Sequence, residues 1–374
     1  MSRPFLDFYT KLDVIPTHQD ISDLQNHFNR RHGLYIQLGV PPLFIRNCSV
    51  LEFGPGTGQN AIVTASSGPS EYVLVDGNSK SIETTTETLR PFFDKVPIQI
   101  IKDDILTYTS DKKFDLVLCE GLIPVQLDPS GFLKHVASFA NKGGVVVITC
   151  MDSVSVLSEA LRRYLCYYEC SPATEVKERI AKLTVFLKPH FEKLPGMSRR
   201  HEDWVIDNII HPWAGSLLSV SEAIQTLAGE FVVLGSNPHF MSDWRWYKNI
   251  VGEEVASVSR AENSYWRNLH SFLDFRAVFG ERDVEVNKKF FAYADKIYQK
   301  IMEQDKQNVL YPMAELAADL TELKALLNEP SSRTSLALEE VIQALTTYQG
   351  TWPDFPEFGA LWGRGQQYIS FMKL

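Results

Sequence analysis

The stretch Val50-Leu51-Glu52-Phe53-Gly54-Pro55-Gly56-Thr57-Gly58-Gln59-Asn60 constrains this chain more than any other. An apolar run ends on an acid, and three alternate glycines follow. Such a run reads as a strand of a parallel sheet, buried on both faces. The glycines allow a sharp turn and a backbone that approaches a ligand where a Cβ would collide. Residues 61–66 then start a helix whose free N–H groups face that ligand. This is the arrangement at the carboxyl end of the first strand of an open α/β sheet, where nucleotides bind. A tight strand–helix turn without a ligand uses the same glycines, and that alternative stays open at this point.

Glycine spacing separates nucleotide classes. The dinucleotide fingerprint has its third glycine five positions after its first. Gln59 holds that position here, and the third glycine comes one step early, at Gly58. The E-x-G-x-G-x-G pattern resembles motif I of the class I methyltransferases that use S-adenosylmethionine (SAM). Residues 71–76 form a second apolar run ending on an acid. Asp76 stands where nucleotide folds place a carboxylate for ribose hydroxyls; capping the next helix, near Ser79, is the other use for it. Residues 98–105 resemble the family's third strand, where an acid and the apolar residue after it meet the adenine. Asp104 and Ile105 match that pair, and Asp103 stands where the family often has glycine, so either acid is a candidate. Residues 114–121 resemble the fourth strand and its loop, with Glu120 toward the methionine end of the donor. Residues 143–150 resemble the fifth. With Glu52, Asn60 and Gly77 at the edges of these motifs, the resemblance implies a donor site of Glu52, Gly54, Gly56, Gly58, Asn60, Asp76, Gly77, Asp103, Asp104, Ile105 and Glu120. It covers residues 49–150 well and thins outside them.

The implied fold is α/β: a seven-stranded Rossmann-like methyltransferase sheet, with N-terminal helices and large helical insertions forming a cap. Residues 1–42 are expected to be a helical cap segment, with Ile21, Leu24, Phe28 and Leu34 buried and Asp20 or Ser22 capping a helix. Tyr9, Tyr35 and the run Arg30-Arg31-His32 are candidates for a wall of the acceptor pocket, or ordinary surface residues. Residues 43–250 are expected to hold the SAM-binding core, interrupted by helices at about 151–213. Ser219 and Glu222 are spaced as a capping box, and residues 231–236 read as the sixth strand. Residues 251–355 are expected to be a second helical insertion. Its apolar stripes (Phe290, Ala294, Ile297, Ile301; Leu316, Leu320, Leu323, Leu327; Leu338, Val341, Ile342, Leu345) have the spacing of helix-bundle core. Residues 356–374 are expected to return to the core, the alternation over 368–373 predicting a final strand between the fifth and the sixth; a separate C-terminal helical domain with a frayed tail is the alternative.

Methyl transfer from a sulfonium is an in-line displacement, and positioning supplies much of the rate. A hydroxyl acceptor also needs a base. The densest cluster of suitable groups runs from His201 to Trp213. His211 is the first candidate base and His201 the second, because imidazole titrates near neutrality. Asp203 shares a helix face with Asp207, and Trp204 offers an aromatic wall. A second cluster follows the sixth strand, where His239, Trp244 and Tyr247 are candidates to bind the acceptor. Both clusters read equally as packing and surface residues.

The net charge of −9 argues against a nucleic-acid partner. So does the absence of an Asn-Pro-Pro-Tyr type sequence after the fourth strand. No apolar run reaches membrane-spanning length and no signal-peptide core opens the chain. The five cysteines complete no zinc set. The expectation is therefore a cytoplasmic SAM-dependent methyltransferase without metal or membrane, with a homodimer left open, acting on a small polar molecule. A hydroxyl of the sugar or glycan-precursor type leads, and a small amine is the alternative. A non-catalytic SAM-binding scaffold and a protein methyltransferase remain the other classes.

Overall fold

The computed structural model describes residues 4–12, 18–124, 126–213, 215–251, 258–307 and 310–374. In chain order the elements begin with α1 (Pro4–Leu12), α2 (Leu24–Gln37), α3 (Pro42–Ile45), β1 (Ser49–Phe53), α4 (Ala61–Ser66), β2 (Glu71–Asp76) and α5 (Ser79–Leu89). Next come β3 (Ile98–Lys102), β4 (Phe114–Cys119), α6 (Pro129–Ser138), β5 (Ala140–Cys150), α7 (Leu157–Glu169), α8 (Val176–Phe191) and α9 (His201–Val205). The rest are α10 (Val220–Thr226), β6 (Phe231–Asn237), α11 (Val258–Asn268), α12 (Val284–Gln307), α13 (Met313–Leu327), α14 (Arg333–Thr347) and β7 (Gln367–Lys373).

The chain divides into two compact units. The first holds residues 1–151, 214–265 and 366–374; the second holds 152–213 and 266–365. The first unit contains the seven-stranded sheet, in the order β3-β2-β1-β4-β5-β7-β6. Neighbouring strands from β3 to β5 run parallel, whereas β7 is antiparallel to both β5 and β6. The final strand therefore lies between the fifth and the sixth, with Val147 opposite Ser370 and Ser370 opposite Gly235.

Strands β1, β2 and β4 are apolar on both faces because both faces are covered. Val50, Tyr72, Leu74, Leu116, Leu118, Val145 and Val147 pack with Tyr35, Leu38, Ala61 and Leu89 in one core layer. On the opposite face Phe53 meets Phe139 and Tyr108, with ring centroids 5.6 and 6.0 Å away. The capping box on α10 forms as its spacing predicts, with Ser219 and Glu222 bonding reciprocally. No helix of the described residues is long and apolar enough to cross a membrane.

Two expectations for the N-terminal segment fail. Asp23, rather than Asp20 or Ser22, caps α2, accepting the Asn26 N–H at 2.9 Å. The buried face of α2 is His27, Arg31 and Tyr35, while Leu24 is half exposed. An i, i+4, i+8 stripe is buried as expected of a helix: His27 faces the Gln59 carbonyl and Arg31 faces Glu120, while the Tyr35 ring joins the apolar core layer.

In the second unit the stripes Phe290/Ala294/Ile297/Ile301 and Leu316/Leu320/Leu323/Leu327 are buried, as are Leu338, Val341 and Leu345. Arg162, fully buried, joins α7 to the segment before β7. Its guanidinium donates to the carbonyls of Ser158, Phe358, Gly359 and Leu361 and to His190 Nδ1.

Candidate active site

The sheet order sets β3, β2, β1 and β4 side by side, so their carboxyl-end loops form one continuous edge. The turn after β1 has Gly54, Gly56 and Gly58 all at positive φ (64°, 61° and 75°), a region that disfavours any residue with a Cβ. A Cβ on Gly54 would collide with the Leu122 side chain, and one on Gly58 would press on the Thr85 backbone at 3.1 Å. At these two positions the missing side chain lets the protein close up on itself. The close approach expected of a ligand is here made by the chain's own residues. Thr85 Oγ1 donates to Gly56 O at 3.0 Å, and Thr88 Oγ1 to Thr57 O at 2.9 Å, so α5 holds the loop rigid.

Asp76 ends β2 beside this loop. Its carboxylate accepts the Asn78 N–H at 2.8 Å, while Asn78, not Asp76, caps α5 through Lys80 and Ser81. Burial raises the Asp76 carboxyl to about 6, against the pull of N–H donors from Asn78 and Gly56. The Ser81 hydroxyl also donates to it, which leaves about one of a carboxylate's four acceptor positions open. Gly77 follows it in the same loop. At the end of β3, exposed Asp103 accepts the Asp104 N–H, and Asp104 is half-buried and accepts the Leu106 N–H. Ile105 follows, its backbone bonded to the His135 ring. Asn60 stands at the start of α4 without making a side-chain cap bond.

Glu120 follows β4. Arg31 donates to its Oε1 at 2.7 Å, and the Tyr35 hydroxyl to the same oxygen at 3.1 Å. Arg31 also bonds Tyr35 Oη at 2.7 Å. Both members of the ion pair are largely buried, at 8% and 15% side-chain exposure. Burial opposes the Arg31 charge most strongly, yet Glu120, Tyr35 and Tyr368 together raise the guanidinium pKa. Its Nε is buried without a hydrogen-bond partner. Glu52, one strand away, is hydrogen-bonded to Tyr72 and held at about 7, mainly by burial. The sequence alone offers Arg31 and Tyr35 only as a candidate pocket wall and does not single out His27. A signal exists in their i, i+4, i+8 spacing, but the apolar positions of the same helix compete with them for the buried face.

The other candidates divide between the units. His201, Asp203, Trp204 and His211 belong to the second. His201 stacks on Phe191 at 4.5 Å, and Trp204 packs edge-on to Phe191 and Trp362. Asp203 is buried and takes a two-point bond from Arg200. His211 has no exposed surface, and burial lowers its pKa to about 4 despite nearby Asp207. His239, Trp244 and Tyr247 belong to the first unit, on the segment after β6. All three are exposed, and Trp244 retains 95% of its free surface. Asp243 in that segment is clamped by Arg245 and Arg260, which push its carboxyl far below the usual range. Among the described residues no three His, Cys, Asp or Glu side chains converge as a metal ion would require.

A family model for a methyltransferase domain matches residues 26–183. Among solved structures, the chain is similar to the N-methyltransferase NodS from Bradyrhizobium japonicum WM9 in complex with S-adenosyl-L-homocysteine, at 16% identity and a TM-score of 0.32, covering 39% of this chain and 74% of that one. It is similar to PKMT2 from Rickettsia typhi in complex with AdoHcy, at 16% identity and a TM-score of 0.39. There the match covers 64% of this chain and about half, 49%, of the other. A third is the magnesium protoporphyrin IX methyltransferase from Synechocystis PCC 6803 with bound SAH, at 13% identity and a TM-score of 0.37, covering 62% and 90%. No curated protein matches the sequence.

Proposed function

We propose that this chain, whose residues 26–183 are a methyltransferase domain within a sheet of the class I order, transfers the methyl group of SAM to a hydroxyl of a small polar molecule, of the sugar or glycan-precursor type. The observation that carries the donor assignment is the continuous edge formed by the glycine turn, Asp76 and Glu120 on three adjacent strands. When bound there, SAM supplies an electrophilic methyl on a sulfonium.

The chain's own residues would hold that donor as follows. Asp76 accepts from a ribose hydroxyl in a charge-assisted bond, and a second one would displace a donor from the protein. Asp104 and the Ile105 N–H meet the adenine edge, with Asp103 as the alternative acid. Glu120 and Arg31 face the zwitterionic methionine end: the carboxylate takes the ammonium and the guanidinium takes the carboxyl group. One ion pair inside the protein is thereby exchanged for two with the ligand. Glu52, Asn60, Gly77 and the three glycines complete the set.

The acceptor half of the proposal is coarser. Within the first unit His239, Trp244 and Tyr247 are the proposed acceptor contacts, whereas His211, His201, Asp203 and Trp204 belong to the second unit and no step is assigned to them. One observation favours a second reading. A histidine held near 4 by burial is a weak base, and a neutral amine acceptor needs none. Calorimetry with SAM and its demethylated product S-adenosylhomocysteine (SAH) tests the donor half. Turnover of labelled SAM against sugars, phenols, amines and peptides tests the other. Saturable SAH binding with label moving to hydroxyl compounds is expected. Label moving only to amines replaces the hydroxyl reading, and no heat with either ligand ends the donor reading.

A further inference from the structure

Gln59 stands directly after the third glycine, at the position that separates this motif from the dinucleotide fingerprint. A long amide at a ligand turn would be expected to face water. Instead it is buried, with 8% of its surface exposed. Its carboxamide grips the backbone of Gln19 at two points. The Gln19 N–H donates to Oε1 at 2.7 Å, and Nε2 donates to Gln19 O at 2.9 Å. This is one rung of a β-ladder with a side chain standing in for the second strand. Thr57 Oγ1 donates to the same Oε1 at 3.0 Å and so orients the amide. The Gln59 carbonyl lies 2.9 Å from His27 Nε2. Because a carbonyl can only accept, that ring nitrogen carries the proton.

One residue of the glycine turn thus fastens two N-terminal pieces: the strap of residues 18–21 and the start of α2. Four residues beyond His27, the same helix face presents Arg31 to Glu120. The N-terminal cover is therefore pinned at two neighbouring points of the strand edge, by Gln59 after β1 and by Glu120 after β4. The two pins differ in kind. Glu120–Arg31 is an ion pair between groups that the donor itself is proposed to engage. Gln59–Gln19 is a neutral clasp whose hydrogen-bonding capacity is taken up within the protein.

We infer that Gln59 is a positioning residue whose clasp on Gln19 holds the N-terminal strap against the donor turn, and so sets how fast donor and demethylated product enter and leave. This rests on the donor reading of the glycine turn. Opening the strap breaks two neutral hydrogen bonds, which is a population change of roughly ten- to thirtyfold.

Hydrogen exchange on the full chain, with and without SAH, tests the clasp, and stopped-flow dissociation of SAH tests its consequence. In Gln59→Ala the Gln19 amide should exchange roughly ten- to thirtyfold faster, and SAH should dissociate faster by a similar factor. Gln59→Glu supplies the control that a purely structural residue would not pass. As a carboxylate it repels Gln19 O, whereas once protonated it can donate to it. Its SAH dissociation rate should therefore fall back toward the wild-type rate at the same pH as acid is added, while Gln59→Ala shows no return. Unchanged exchange at Gln19 in Gln59→Ala overturns the inference. So does faster exchange with unchanged SAH dissociation. Wild-type protein that fails to bind SAH overturns the donor reading instead, and the exchange at Gln19 in ligand-free protein still reports whether the clasp exists.

Discussion

Each unit buries an arginine, and the two are held in opposite ways. Arg31 in the first unit faces a carboxylate, Glu120, at 2.7 Å, and one of its nitrogens has no partner. Arg162 in the second unit lies 3.7 Å over the Trp362 ring and spends its N–H groups on four backbone carbonyls and His190. Against burial, Glu120 with Tyr35 and Tyr368 raises Arg31 above its ordinary pKa, while burial lowers Arg162 to about 9. The first arrangement can exchange partners, because a ligand with its own carboxylate and ammonium satisfies both members of the pair. The second has no such exchange open to it, because all its acceptors but the His190 ring are main-chain oxygens fixed by the fold. A buried charge is thus a sign of a site when its partner is another mobile charge, and a sign of architecture when its partners are backbone.

The largest effect should come from the architectural arginine. R162M leaves its carbonyls and His190 without donors in an apolar interior, and should cost about 3–5 kcal/mol in urea unfolding. SAH affinity should change less than about threefold; a joint loss of stability and affinity would break the contrast between the two arginines. E120Q is next. It leaves the Arg31 charge buried without its counter-ion, at about 2–3 kcal/mol of stability, and should weaken SAH binding by about tenfold or more. Adding R31M to E120Q should restore most of the stability and none of the SAH affinity. Recovery of both would make the pair architectural after all.

The smallest effect has the opposite sign. Burial holds the Glu52 carboxyl at about 7, above its ordinary 4.5. Between those values the folded protein keeps a proton that the unfolded chain has released. Stability from this group therefore falls as pH rises through that window, and does not recover above it. The amide that E52Q introduces does not titrate, and its oxygen can still accept from Tyr72. E52Q should thus gain about 1–3 kcal/mol over the wild type by pH 8 and little at pH 4. Urea midpoints from pH 4 to 8 would show the gap widening with pH; a gap that narrows would mean that Glu52 is stabilised as the anion.

Much of the first unit is legible in the chain. The apolar runs ending on acids, the glycine turn and the alternating C-terminus correspond to β1, β2 and β7 in the observed sheet. Local patterns suffice there because a strand buried on both faces needs only its own residues to be apolar. The N-terminal helix departs from its pattern because its partners lie on other elements. Periodicity marks Leu24 and Phe28 as inward, yet the inward stripe is His27, Arg31 and Tyr35, because the Gln59 carbonyl and Glu120 receive the first two and the apolar core layer the third. The helical unit shows the converse. Its leucine stripes mark the bundle core correctly, but Trp204 and His211, candidates for chemistry by residue type, are packed in the interior, and nothing in the spacing of residues 201–213 distinguishes the two uses.

By itself, then, the order of residues determined the strands, the turn that joins the first to its helix and the α/β class, because each depends on neighbours within one element. Only tertiary structure decided that Arg31 meets Glu120 across 89 residues of chain and that Gln59 grips Gln19 across 40. Those pairings arise when separate elements dock, and their energy lies in distances between groups that no local pattern records.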